Sequence, residues 1–246
     1  MVYEAKFVKG NTKVGSGIWC YNKLAGSGVI AGCKGTCGKY CKGCYNPTDP
    51  KKSPCYVFKS YVQYGWENGS VVKSHIRNTE IMRKNPDEAF RQLQAQLRNT
   101  KQKPVAVRIH SSGELETEYE LKLWIALALS NPKIPFYLYT KNEIVLDHVL
   151  SERSKSTKGY PILPANMFVN VSVWHENGVA IFDKWKHLEN VRAFVYDDGY
   201  DYGDRLKYDC HCPAYDSKGK LNHDSPCEKC KICFQSKAKV CACYDH

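Results

Sequence analysis

The chain contains no uninterrupted apolar run of about 18 residues, the length a membrane-spanning helix needs. Its opening stretch, MVYEAKFVKGNTK, lacks the apolar core of a secretory signal peptide. Both absences lead us to expect a cytoplasmic protein with no membrane partner. There is also no G-x-x-x-x-G-K-[ST] loop, no G-x-G-x-x-G opening a helix after a strand, and no G-x-S-x-G elbow. P-loop phosphoryl transfer, Rossmann-type hydride transfer and serine hydrolysis therefore find no support. Disorder is excluded as well, because 43% of the residues are hydrophobic and can build a core.

Cysteine, by contrast, is abundant, with 13 among 246 residues. In a reducing cytosol, clustered cysteines in odd number read as metal ligands rather than disulfides. The formal net charge is +11. If seven thiolates held two oxidised [4Fe–4S] clusters, the charge would still be about +8. A basic chain suits nucleic acid, a nucleotide or another anionic substrate. Scattered lysines also fit a plain solvated surface.

Three segments follow from the composition. Residues 1–60 are rich in glycine and cysteine and read as a short strand around Gly17–Tyr21 followed by a long cysteine loop. Residues 61–205 read as alternating strands and helices. Residues 206–246 hold seven cysteines and too little hydrophobic surface for a core of their own, so they read as a small metal-stapled segment. The expected division is 1–205 and 206–246.

The middle segment carries the fold. Asn85, Pro86 and Glu88 form a helix start, and Phe90, Leu93 and Leu97 recur at helical spacing after it. Strands are expected at Val105–Ile109, Phe136–Thr140, Phe168–Trp174 and Val191–Tyr196. Helices are expected around Glu116–Leu129, with Tyr119, Leu123, Trp124 and Leu127 on one face, and near Glu143–Leu150 and Ala180–His187. Such alternation with short links predicts an α/β fold with a parallel sheet, laid out as a partial (β/α) barrel. Ligands then sit beyond the C-terminal strand ends, near His110–Glu114, Lys141, His175 and Asp197–Tyr200.

Two cysteine motifs carry chemistry. Cys37, Cys41 and Cys44 stand as C-x3-C-x2-C, and three thiolates can hold three irons of a [4Fe–4S] cluster and leave the fourth iron open. With Cys33 they make four thiolates, which can instead close a structural zinc site. In the tail, Cys227, Cys230 and Cys233 form C-x2-C-x2-C, and Cys212 precedes them, giving four thiolates suited to a second [4Fe–4S] cluster, with zinc as the alternative. Cys210, Cys241 and Cys243 remain; one of them can replace Cys212, or Cys241 and Cys243 can bind zinc.

The C-x3-C-x2-C stretch (CGKYCKGCYN) resembles the signature of radical SAM enzymes, with Gly43 where that family usually carries an aromatic residue. Ser112-Gly113-Glu114, directly after the Val105–Ile109 run, resembles their Gly-Gly-Glu-like segment, whose backbone and acid hold the amino group of S-adenosylmethionine (SAM). The residue types suit that task, since glycine admits a close ligand and glutamate pairs with an ammonium. Ser172 resembles the polar residue such enzymes place near the SAM ribose. Taken with GSGIWCYNKLAG, RIHSSGEL and FYLYTK, these motifs make the chain similar to the phage and prophage "gene product 88" family, which looks like a set of minimal radical SAM enzymes. That resemblance implies reductive SAM cleavage, two clusters, and an electron donor such as flavodoxin or ferredoxin, acting on an unknown substrate. Two other classes stay open: a zinc-stapled nucleic-acid-binding protein, and an iron–sulfur redox or sensor protein without SAM chemistry.

Overall fold

The computed structural model describes the chain except residues 1–3, 42–44, 54, 157–160, 175–177, 198–199, 215–221, 223, 236 and 245–246, and the side chains of Cys41, Glu67, Asp197 and Tyr244. In chain order the elements are β1 (Val8–Lys9), β2 (Ile18–Tyr21), the hairpin β3 (Val29–Ile30) and β4 (Cys33–Lys34), α1 (Tyr56–Gln63), α2 (Ser70–Lys84), α3 (Pro86–Asn99), β5 (Ala106–Ile109), α4 (Glu118–Leu129), β6 (Phe136–Thr140), α5 (Glu143–Ser156), β7 (Met167–Val173), α6 (Val179–Trp185), β8 (Val191–Asp197), β9 (Cys210–His211), α7 (Cys227–Cys230), α8 (Ile232–Gln235) and β10 (Val240–Tyr244). Among the described residues no helix is long and apolar enough to cross a membrane.

The fold is mixed α/β around one large sheet, ordered β1-β2-β5-β6-β7-β8-β10-β9. Only β1 runs antiparallel to its neighbour; every other adjacent pair is parallel. Among the described residues the edges β1 and β9 do not pair with each other, so the sheet is open rather than a closed barrel. The segment from 206 onward contributes two of these strands. β10 lies directly beside β8, with Cys241 opposite Phe194 and Cys243 opposite Tyr196.

Successive strand residues face opposite sides of the sheet. On β5 and β6, Val107, Ile109, Phe136 and Leu138 pack outward into the main core with Leu93, Leu97, Trp124 and Leu146 of the covering helices. Ala106, Tyr137 and Tyr139 point to the other face, where Cys20, Phe168 and Phe234 join them. One layer of helices therefore backs the sheet, and the cysteine-rich end of the chain covers part of its opposite face.

The helix starts follow local chemistry. Asn85 caps α3 by accepting from the Glu88 amide (3.2 Å), with Pro86 at the first position. Thr117 caps α4, two residues later than the expected start, by accepting from the Glu120 amide (3.1 Å). The expected α4 face needs correction: Tyr119 is 48% exposed, and the buried stripe is Glu120, Leu121, Trp124, Ile125, Leu127 and Ala128. Among the longer helices, α1 and α2 were not anticipated, nor were the short α7 and α8 of the tail. Asn78 of α2 accepts from the Lys6 amide and donates to the carbonyls of Lys6 and Asn22, while Gln92 and Gln96 of α3 take the amides of Ala5 and Phe7. Side-chain amides thus stand in for a strand partner along residues 5–7.

A buried charge network ties α4 to the segment after β2. The Lys23 ammonium, fully buried, lies 2.7 Å from Glu120 and 3.3 Å from Glu116. Glu120 Oε1 is 3.0 Å from His110 Nε2. Burial alone would raise the Glu120 carboxyl, but Lys23 and His110 outweigh it and hold the group at about 2. On α2, burial pushes His75 down to about 4, so the ring stays neutral, with Nδ1 2.8 Å from the Tyr61 hydroxyl.

Two predictions follow from these groups. Glu120→Gln leaves the Lys23 ammonium buried beside only the partly exposed Glu116. The expected loss is about 3–5 kcal/mol, towards the lower end because Glu116 remains, read from the urea midpoint; a loss under about 1 kcal/mol would show the pair to be dispensable. Acid should destabilise the fold in two stages. His75 titrates at 6.5 when unfolded and about 4 when folded, so stability present above pH 6.5 is lost as pH falls towards 4. Glu120 shifts from 4.5 to about 2, so its contribution is present above pH 4.5 and lost as pH falls towards 2. Melting temperature recorded from pH 7 to pH 3 checks this, and His75→Gln should remove the upper stage alone.

Candidate functional site

After β2 the chain turns directly into the cysteine loop. The Thr36 amide and hydroxyl both donate to the Leu24 carbonyl (2.9 Å each), and the Cys37 amide donates to the Gly26 carbonyl (2.9 Å). The Gly26 amide in turn donates to Cys37 Sγ (3.3 Å). Cys41 ends the short helical turn Gly38–Cys41, but its side chain and Cys44 lie outside the described residues. Cys33 is separate from this face. It is 3% exposed, packs in a small core with Leu24, Ile30 and Phe58, and burial pushes its thiol up to about 11.

The turn after β5 is bonded to that loop. The Lys23 amide donates to the Ser112 carbonyl (3.0 Å), the Ser112 hydroxyl donates to the Lys23 carbonyl (2.9 Å), and the Glu114 amide donates to Thr36 Oγ1 (2.9 Å). Gly113 has φ +85°, and a Cβ there would lie 2.7 Å from Thr36 Oγ1 and 2.8 Å from Lys23 Cβ. Both the conformation and the space therefore require glycine. The buried Glu114 carboxylate accepts from the Leu115 amide (2.8 Å) and the Thr140 hydroxyl (2.7 Å) through one oxygen, and from the Lys141 amide (2.8 Å) through the other. It thereby clamps the ends of β5 and β6 together.

These residues border a cavity of about 810 Å³ at the C-terminal ends of the strands. Ser112, Gly113 and Glu114 line it after β5, Lys141 after β6, Ser172 and Trp174 at the end of β7, and Tyr196 on β8. Ser172 is half-buried there. His175, also singled out by sequence, lies outside the described residues, as do 198–199. A depression of about 550 Å³ elsewhere, bounded by Glu118, His148 and Glu152, is an open dent over exposed helix side chains.

The tail supplies the far wall. Cys212, Cys227, Cys230, Cys233, Cys241 and Cys243 all line the cavity. Cys227 and Cys230 lie one helical turn apart on α7, and Lys231 follows at φ +58°, a left-handed conformation that ends the helix before Cys233. Cys241 and Cys243 share one face of β10 by its two-residue period. Cys210 pairs in register with Cys241 but does not reach the cavity. A hydrogen bond with Cys243 lowers the Cys212 thiol against the effect of burial, with a backbone hydrogen bond at Ala214 and the charges of Lys13 and Arg108 adding to it. Burial pushes Cys233 up to about 12.

The structure thus brings Cys37 and the tail group Cys212, Cys227, Cys230 and Cys233 to a single cavity. Among the described residues, no three His, Cys, Asp or Glu side chains converge closely enough to hold a single metal ion. Among the lining residues that sequence reasoning passed over are Cys55 and Arg108. Cys55 lines the cavity as the residue before α1, with no patterned spacing to mark it. Arg108 also lines it, and it was visible as the one charged residue inside an apolar strand.

Among known proteins, the curated proteins and the solved structures contain no match to this chain. The sequence model of one family, described as gene product 88, matches residues 5–237 and so spans β1 through the tail cysteines as far as Cys233. The chain belongs to the gene product 88 family.

Proposed function

We propose that this protein is an iron–sulfur enzyme of radical SAM type, built on a partial (β/α) barrel. The observation that carries the reading is the bonding of the Ser112-Gly113-Glu114 turn to the cysteine loop, at the ends of two adjacent parallel strands, on the rim of one cavity. Cys37, Cys41 and Cys44 would hold one [4Fe–4S] cluster, and Cys212, Cys227, Cys230 and Cys233 a second. The donor chemistry fits, since all seven are soft sulfur ligands. The C-x2-C-x2-C spacing of the tail group supports iron–sulfur over zinc, being tighter than the paired knuckles zinc usually takes.

A cluster held by Cys37, Cys41 and Cys44 would supply the one-electron reduction that reductive cleavage of bound SAM requires. The chain's own residues set the conditions. Gly113 lets the backbone approach an amino group closely. The Glu114 oxygen that accepts from Lys141 retains a lone pair for that ammonium. Ser172 offers a hydroxyl on the cavity wall, and Trp174, Phe194 and Tyr196 exclude water beside it. The electron donor would be of flavodoxin or ferredoxin type, in the cytoplasm.

One observation favours a second reading, an iron–sulfur redox or sensor protein without SAM chemistry. Glu114 already accepts three hydrogen bonds from protein, and the Ser112 hydroxyl is engaged by Lys23 and lies 3.2 Å from His75. Both residues therefore have a structural task that needs no ligand.

Anaerobic reconstitution, iron and sulfide analysis, and an assay for 5′-deoxyadenosine under reducing conditions separate the readings. The expected outcome is about eight irons per chain and SAM cleavage that Cys41→Ala abolishes. Iron without SAM binding would establish the second reading. Zinc without iron would overturn both and leave the nucleic-acid-binding alternative. Gly113→Ala, forced into the left-handed region against Thr36 and Lys23, should cost about 1–2 kcal/mol of stability and abolish SAM binding while leaving the iron content of the tail site unchanged.

A further inference from the structure

The cavity carries an excess of positive charge that the cysteine chemistry does not explain. Among its described lining residues, Lys9, Lys13, Lys59, Arg108, Lys141 and Lys231 face a single carboxylate, Glu114. Glu114 is already bonded to Leu115, Thr140 and Lys141. Arg108 is the innermost of these cations by its position on β5, in register with Cys20 on one side and Tyr137 on the other.

Arg108 is short of hydrogen bonds. Its Nε is buried and has no acceptor among the described residues. Its guanidinium instead lies over the ring of Tyr139, 5.0 Å from the centroid. Beside it, the hydroxyl of Tyr137 is also buried without a partner among the described residues. An Nε–H buried without an acceptor is costly, because its lost hydration is not replaced. A fork of N–H donors matches the oxygens of a carboxylate or phosphate, and the ring face of Tyr139 holds the fork in place.

The surroundings indicate what accompanies the charge. Tyr139 meets Phe194 edge to face at 4.9 Å, and Trp174 lies 4.9 Å from Tyr196. Tyr139, Phe194, Trp174 and Tyr196 all line the cavity. An aromatic wall beside a cation is the combination that binds a ring-bearing anion, by stacking at one end and ion pairing at the other.

We propose that Arg108 anchors an anionic ligand in this cavity, a carboxylate or phosphate carried on a planar ring that packs against the Tyr139–Phe194 wall. The site lies between the cysteine loop and the tail cysteines, so a ligand held there is presented to both. The inference does not depend on SAM chemistry, because it rests on the cavity and on the Arg108 Nε that has no acceptor among the described residues.

Adenosine monophosphate against adenosine, and benzoate against benzamide, separate phosphate from carboxylate and each from its neutral body. The measurement is isothermal titration of the reconstituted full chain, with Trp174 fluorescence as a second signal. At least one anion should bind about tenfold or more tightly than its neutral counterpart. Arg108→Gln should remove that preference while leaving the weak binding of the neutral compound unchanged, and Arg108→Lys should retain part of it. Equal affinity for anion and neutral compound in the wild type, or a preference that survives in a cooperatively melting Arg108→Gln protein, would overturn the proposal. Should Arg108→Gln fail to fold, the wild-type comparison and Arg108→Lys decide it, since a lysine retaining the full preference would equally refute the guanidinium as anchor.

Discussion

The fully buried Lys23 ammonium is the constraint around which the site is organised. It lies two residues beyond β2, and its charge is met by Glu120 at 2.7 Å on α4. Its backbone and the Ser112 turn exchange hydrogen bonds in both directions. One residue thus joins the start of the cysteine loop, the turn after β5 and the first turn of α4. An unpaired ammonium in that position is far more costly than the pair is stabilising, so the arrangement specifies register more than it adds stability. His110 completes it. It leaves β5 with φ +55°, uncommon for a residue with a side chain, and turns its ring to within 3.0 Å of Glu120.

Much of this was legible in the sequence. The run VAVRI announced β5, and the Asn85-Pro86-Glu88 signal placed α3 to the residue. The parallel order of β5, β6, β7 and β8 follows from strand–helix alternation. What was missed has physical causes. α2 starts from Gly69 with no side-chain cap and no acid in its first turn, and its buried stripe includes His75, Asn78 and Thr79. A helix whose inner face is half polar shows no clear hydrophobic period. The face of α4 was misplaced for a related reason: Glu120 reads as a surface residue, and Lys23 and His110 together offset the cost of its burial.

The tail illustrates a different limit. VCACY alternates strictly, yet its cysteines drew attention as ligands and hid a strand. Cysteine is also a small hydrophobe that packs well in a sheet. As β10, it fixes Cys241 and Cys243 by the pleat, while α7 and the left-handed Lys231 fix Cys227, Cys230 and Cys233. The sulfur positions are therefore set by sheet and helix geometry, rather than by a free loop that would need a metal to order it.

The electrostatics of the cavity bind these observations together. Its thiols are mostly pushed up by burial, Cys233 to about 12, so the protein alone favours neutral sulfur there. The Nε of Arg108, on its wall, has no acceptor among the described residues. Under the proposed function a metal group would meet the first condition by drawing those protons off, since metal coordination deprotonates a thiol outright. The second calls for an anion with oxygen acceptors. Thiolate-bound clusters satisfy the first and contribute negative charge to the second, but they offer Arg108 no planar pair of oxygens. The proposed metal group would therefore still leave the Arg108 Nε without an acceptor, and the proposed anion is what would supply one.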